Sequence, residues 1–187
     1  MKLFKGDGEF NFLMQLNSQK VFLSEYNRQE RFYSKHNHMR QINLIIIHCS
    51  ATKENQPFTI QALETSHRER GFNGIGYHYY IRQSGEVINT RPLSRIGAHA
   101  KGYNRNSIGI CYEGGLDKDG KPKDTRTPEQ RTALRQLVNE LLLRFPGCKV
   151  CGHRDLSPDL NRNGKVEPRE WIKQCPCFDV AAECPPF

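Results

Sequence analysis

Three side chains able to hold a metal and two able to handle a proton stand at four places in the 187-residue sequence. His48 closes the apolar run Leu44-Ile45-Ile46-Ile47; His153 lies in Gly152-His153-Arg154-Asp155; Cys175 lies in Lys173-Gln174-Cys175-Pro176-Cys177-Phe178-Asp179. Two neutral imidazoles and one thiolate are a zinc donor set. Three protein ligands with the fourth position left to water is the catalytic arrangement, whereas structural zinc sites are usually closed by four. Such a set leaves the ion with a net charge of about +1 and brings the pKa of a water on it to about 7. Carbonyl carbons are the natural targets of that nucleophile, and the reaction then needs a donor for the oxyanion and a proton for the leaving amine. Lys173 can supply the first; Tyr77, in Gly76-Tyr77-His78, can orient the water or handle the proton. A rival reading pairs Cys148 and Cys151 with Cys175 and Cys177 as a closed structural site, but only the first pair has the two-residue spacing such sites use.

These residues must be delivered by regular elements. The β-branched run over 42–47 suits a central strand covered on both faces, and alternation along it points His48 and Cys49 opposite ways. Only one of them can easily face the metal; His48 is taken as the ligand, and Cys49 is then expected to be a small buried hydrophobe. A helix is expected over 60–70, with Thr59 as N-cap, Phe58 and Leu63 as a hydrophobic staple, and Gly71 as the stop. Tyr77-His78-Tyr79-Tyr80-Ile81-Arg82 alternates with period two, so Tyr77 and Tyr79 are expected on one face, His78 and Tyr80 on the other. Ser84-Gly85 turns that strand back into residues 86–90, and Ser107 to Tyr112 is a further strand, ended by Gly114-Gly115. The clearest helix begins at Thr127, with Pro128 at its first position and Gln130 completing a capping box. Its stripe is Ala133, Leu134, Leu137, Val138, Leu141 and Leu142; Pro146-Gly147 ends it, and Lys149-Val150 leads as a short strand to His153. Alternating strands and helices with one hairpin give an α/β class: a single domain with a mixed central sheet flanked by helices.

Composition bounds the rest. Lys and Arg number 28 against 20 Asp and Glu, a formal charge of +8 that favours anionic partners without choosing among them. No apolar stretch reaches the roughly 20 residues of a membrane span. The seven cysteines are odd in number, in a chain too large for a disulfide-stapled miniprotein, which suits a reducing compartment. Residues 1–38 carry apolar side chains without a clean period and are expected to be an appendage, with Met39 as a candidate start.

Five runs in order, His48-Cys49-Ser50-Ala51-Thr52, Gly76-Tyr77-His78-Tyr79, Gly97-Ala98-His99-Ala100-Lys101-Gly102-Tyr103-Asn104, Asn106-Ser107-Ile108-Gly109-Ile110-Cys111 and Cys175-Pro176-Cys177-Phe178-Asp179, resemble the type 2 N-acetylmuramoyl-L-alanine amidases of phage lysozyme type, kin to the peptidoglycan recognition proteins. The resemblance implies a zinc amidase domain over 39–180 followed by a tail, 181–187. It implies zinc on His48, His153 and Cys175, with Tyr77 and Lys173 catalytic and the division of proton transfer between them open. The implied reaction cuts the amide between N-acetylmuramic acid and L-alanine of bacterial peptidoglycan. His67, His99 and Asn104 would line the substrate groove. Relatives that only bind peptidoglycan typically lack the cysteine ligand, which this chain keeps. Gly6-Asp7-Gly8-Glu9 stands where a signal peptide's apolar segment would be, so the expectation is an endolysin made in the cytoplasm as a monomer and acting on the wall after release. A non-catalytic peptidoglycan-binding module is the alternative; nucleic acid, favoured by charge alone, is not an expected partner.

One departure from the phage enzymes is the insertion 156–172 between the second histidine and the cysteine. Asp159, Asn161, Asn163, Gly164, Lys165 through its carbonyl, and Glu170 fall on the ligand and glycine positions of an EF-hand loop, with Glu167 at the ninth. Calcium folding this insertion, and so placing Lys173 and Cys175, is the expectation.

Overall fold

The computed structural model describes residues 40–184; the expected appendage and the candidate start at Met39 lie outside them, as do residues 185–187. The strands and helices in chain order are β1 (Leu44–Cys49), β2 (Thr52–Lys53), α1 (Ile60–Glu69), β3 (Tyr79–Ile81), β4 (Val87–Asn89), β5 (Ser107–Tyr112), β6 (Gly115–Leu116), α2 (Pro128–Arg144), β7 (Lys149–Gly152) and α3 (Val180–Glu183). The main sheet runs β4-β3-β5-β1-β7, with β4 antiparallel to β3 and every other pairing parallel. This is the mixed α/β sheet expected from the alternation of elements. The pair β2 and β6 forms a separate two-stranded parallel ribbon that sequence periodicity does not reveal, because two residues are too short to alternate.

Strand β1 lies inside the sheet, between β5 and β7, as its apolar run Leu44-Ile45-Ile46-Ile47 requires. Ile45, Ile46 and Ile47 are completely buried, each contributing about 1.5–3 kcal/mol of apolar transfer free energy. Alternation puts one side of the strand into the larger of two cores. Ile45, Ile47 and Cys49 pack with Ile108, Ile110 and the α2 stripe of Leu134, Leu137, Val138 and Leu141. Leu63 of α1 packs with Ile75, Tyr80 and Cys111. Helix α2 begins where its capping box predicts: Gln130 N–H donates to Thr127 Oγ1 and Thr127 N–H to Gln130 Oε1, both at 3.1 Å. Gln130 is also fully buried, and its amide donates to the carbonyls of Ile81 and Glu113, fastening the helix to the ends of β3 and β5. Thr59 caps α1 through Ala62 N–H, and Gly71, at φ +82°, takes the chain out of that helix.

The aromatic strand is shorter than its alternation suggests. It starts at Tyr79, and Tyr77 packs beside Tyr80, not Tyr79. The His78 carbonyl continues the β4 register by accepting from Thr90 N–H and also accepts from Arg91 N–H. Tyr77 packs on the α1 side of the sheet, where its ring meets that of His48.

Candidate active site

His48 is the penultimate residue of β1 and His153 directly follows the end of β7 at Gly152, so two neighbouring strands deliver both histidines to the same edge, where crevices form in open α/β sheets. Their rings are 4.6 Å apart. Cys175 arrives from a distant segment and is held from three directions. Arg154 N–H donates to its carbonyl at 2.7 Å, Cys49 N–H points at its sulfur at 3.3 Å, and the Tyr112 hydroxyl donates to the carbonyl of Pro176 at 2.7 Å. Gly152 makes room for this segment: a Cβ there would stand 2.6 Å from Pro176 Cδ. The result is one ligand atom each from His48, His153 and Cys175, all within 4.8 Å of one another. It is the only such group of histidine, cysteine and acidic side chains among the described residues, so the rival set of Cys148, Cys151, Cys175 and Cys177 does not assemble. Cys148 points instead to the carbonyl of Ile42.

The electrostatics suit metal ligation. Burial drives the His48 pKa far below its ordinary value, helped by the neighbouring His99, His153 and Lys173, and burial with Lys173 pushes His153 down to about 4. Both imidazoles are therefore neutral at pH 7, with lone pairs to offer. Cys49 keeps its proton, its pKa pushed up to about 12 chiefly by its contact with Cys175. The Cys49 and Cys177 sulfurs are 4.0 Å apart.

The cluster lies in an open cleft of about 720 Å³ whose lining includes Tyr77, His67, His99, Asn104, Ile172 and Lys173. The ring of Tyr77 stands 5.1 Å from that of His48. Burial first, and the thiols of Cys111, Cys175 and Cys49 after it, raise its pKa well above the ordinary tyrosine value, so its hydroxyl stays protonated. Lys173 is exposed at the cleft lip, close enough for its charge to depress both histidine ligands. His67, His99 and Asn104 line the same cleft, but each already has a polar partner in the protein. His67 Nδ1 accepts from Gly76 N–H, Asn104 Oδ1 accepts from both His99 and Ala100 N–H, and His99 Nδ1 lies 3.0 Å from His48 Nε2. That last contact joins residues 51 apart in the chain, a separation that carries no spacing signal.

The calcium expectation is not supported. Within the insertion, the side-chain oxygens assigned to a cation accept hydrogen bonds from the loop's own amides. Asp159 accepts from Asn163 and Gly164, Asn161 Oδ1 from Asn163, and Asn163 Oδ1 from Lys165. Glu170 accepts from Glu167, Asn161 and Leu160, and these bonds, the Glu167 amide foremost, hold its carboxyl below the usual range. The EF-hand-like spacing coincides here with a self-bonded turn in which Glu170 accepts three backbone amides.

The family model for N-acetylmuramoyl-L-alanine amidase matches residues 38–170. The endolysin of Klebsiella phage KP32 is 36% identical over 141 residues, covering 75% of this chain and 84% of its own length. For the endolysin of Escherichia phage T7 the identity is 38% over 136 residues, covering 73% and 81%. Among solved structures, the N-acetylmuramoyl-L-alanine amidase LysC from Clostridium intestinale matches with a TM-score of 0.59 at 28% identity, over 77% of this chain and 85% of that one. The family match stops before Lys173 and Cys175, whose place in the site comes from the geometry above. On sequence and fold together, the chain belongs to the N-acetylmuramoyl-L-alanine amidase family.

Proposed function

We propose that the protein is a zinc-dependent endolysin of phage or prophage type. It hydrolyses the amide between the lactyl group of N-acetylmuramic acid and the L-alanine of the stem peptide. The observation that carries this reading is the convergence of His48, His153 and Cys175 at a cleft lined by Tyr77 and Lys173. Two imidazoles kept neutral by burial and a thiol that receives a backbone N–H are donors suited to zinc, and three such ligands leave a fourth position for water.

When bound, zinc would bring a water to a pKa of about 7 and polarise the scissile carbonyl. The chain's own groups do the rest. Tyr77, holding its proton, donates a hydrogen bond to the carbonyl oxygen as that oxygen gains charge. The Lys173 ammonium adds positive charge on the same side. Both are worth most once substrate has displaced water from the cleft. Water adds to the carbonyl carbon, the C–N bond breaks, the lactyl carboxylate stays on the sugar, and the stem peptide leaves with a free alanine amine. The positive formal charge of +8 assists residence on an anionic wall.

The test is mass spectrometry of purified peptidoglycan digested with and without a zinc chelator. Stem peptides with free N-terminal alanine, released only in the unchelated digest, are expected. Intact wall in both digests, with zinc bound to the protein, would make this a peptidoglycan-binding module instead.

A further inference from the structure

We infer that His99 is a positioning residue for the metal site, accepting a hydrogen bond from His48 Nε2 and so committing His48 to ligation through Nδ1. This rests on the zinc reading above. His48 presents Nδ1 to the cluster, 3.9 Å from Cys175 Sγ, while its Nε2 lies 3.0 Å from His99 Nδ1. An imidazole that ligates through one nitrogen must carry its proton on the other, and that proton needs an acceptor. His99 supplies one only if its own proton sits on Nε2, and Nε2 faces the Ser107 hydroxyl at 3.5 Å. The two assignments agree with each other: His48 Nε2–H to His99 Nδ1, and His99 Nε2–H toward Ser107.

The ring of His99 is held in a built cradle. A Cβ on Gly109 would lie 2.6 Å from its Cγ and Cδ2, and one on Gly97 would strike it as well, so both glycines are the space the imidazole fills. The His99 and Ala100 amides both donate to Asn104 Oδ1 at 2.9 Å, fixing the backbone on which the ring is mounted. The two histidine rings meet edge to face, 5.0 Å between centroids, which lets nitrogen meet nitrogen in line. A neutral acceptor in this place has a chemical consequence. Ligating histidines commonly lean on a carboxylate, which adds negative charge to the metal's surroundings. A second imidazole fixes the tautomer and leaves the charge of the site set by Cys175 alone.

Two substitutions separate this role from simple space filling. His99→Leu fills the cradle without an acceptor; His99→Asn places Oδ1 near the position of Nδ1. Zinc dissociation constants are measured by competition with a chromogenic chelator, alongside the thermal midpoint of each metal-free protein. The expected result is roughly 10- to 100-fold weaker zinc binding for His99→Leu and affinity within a few-fold of the parent for His99→Asn. Equal affinity in all three, or equal loss in both variants, overturns the inference. A parent that binds no zinc overturns the zinc reading and this inference with it. Should His99→Leu fail to fold, nitrogen-15 spectra of the zinc-loaded parent decide the same point. A proton on His48 Nε2 is expected, and a proton on Nδ1 refutes it.

Discussion

In the proposed mechanism Tyr77 and Lys173 divide the work around the reacting carbonyl by burial. Tyr77 is half-buried with its pKa held well above the ordinary value, so it would act as a donor; Lys173 stands exposed and would act as a charge. Tyr77→Phe keeps the ring that packs on Tyr80 and removes only the hydroxyl. The expected outcome is a fall in kcat of about 10²–10³-fold with zinc affinity unchanged, read from steady-state kinetics on a muramoyl-peptide and chelator competition. A comparable loss of zinc would mean that Tyr77 is instead a ligand. Cys175→Ala removes the one anionic ligand, so the expected outcome is loss of stoichiometric zinc after gel filtration, with activity not restored by adding zinc. These residue types were legible in the sequence because each sits in a short run with its own chemistry. The His48–His99 contact was not, since its members meet only through the pairing of β1 with β5 and the loop that precedes β5.

At the scale of elements, β5 contributes no ligand yet shapes the site. Its Gly109 leaves the space occupied by the His99 ring, and its N–H donates to His78 Nδ1. Gly109→Ala should therefore displace His99, lowering stability by about 1–3 kcal/mol through overpacking and weakening zinc binding together. Denaturant unfolding and metal titration of the same variant check both. The insertion makes the opposite point. Its acidic and amide side chains match a calcium loop by spacing, but the structure uses them on its own N–H groups, with Glu170, only 5% exposed, as the hub. Glu170→Gln is expected to speed hydrogen exchange at the amides of Leu160, Asn161 and Glu167, whereas millimolar Ca²⁺ leaves the exchange of the parent unchanged. Slowing by Ca²⁺ would restore the cation reading. Spacing alone does not choose between these uses, because one set of oxygens can accept from a cation or from amides.

The whole molecule carries an acid sensitivity built from buried imidazoles. His67 and His78 are 2% and 0% exposed, and burial, before any neighbouring charge, pushes both down to about 4. In the unfolded chain each titrates near about 6.5, so between those values the unfolded state binds protons that the folded state refuses. Their contribution is whole above pH 6.5 and is lost as pH falls toward 4. For two such groups the slope is at most about 3 kcal/mol per pH unit. The urea midpoint of the metal-free protein should fall between pH 7 and pH 5, and a midpoint independent of pH over that range would show that these rings are solvated. The formal charge of +8 acts at the same scale. Adsorption of the Tyr77→Phe protein to purified wall is expected to weaken as salt rises from 50 to 500 mM, because screening shortens the reach of a scattered positive surface.

By itself the sequence determined what is local. The run before His48, the capping box at Thr127 and Gln130, and the glycine stop at Gly71 each decide their own conformation through contacts a few residues apart, and the structure repeats them. It also determined the donor types, because two histidines and one cysteine limit the chemistry before any folding. Tertiary structure decided which donors meet, which nitrogen of His48 faces the cluster, on which side of the sheet Tyr77 lies, and whether the acidic loop is free for a cation. The meeting of the donors depends on backbone carried in from a distant part of the chain: Arg154 on Cys175, and β5 behind His99. Contacts of that range leave no period and no spacing in the sequence to read.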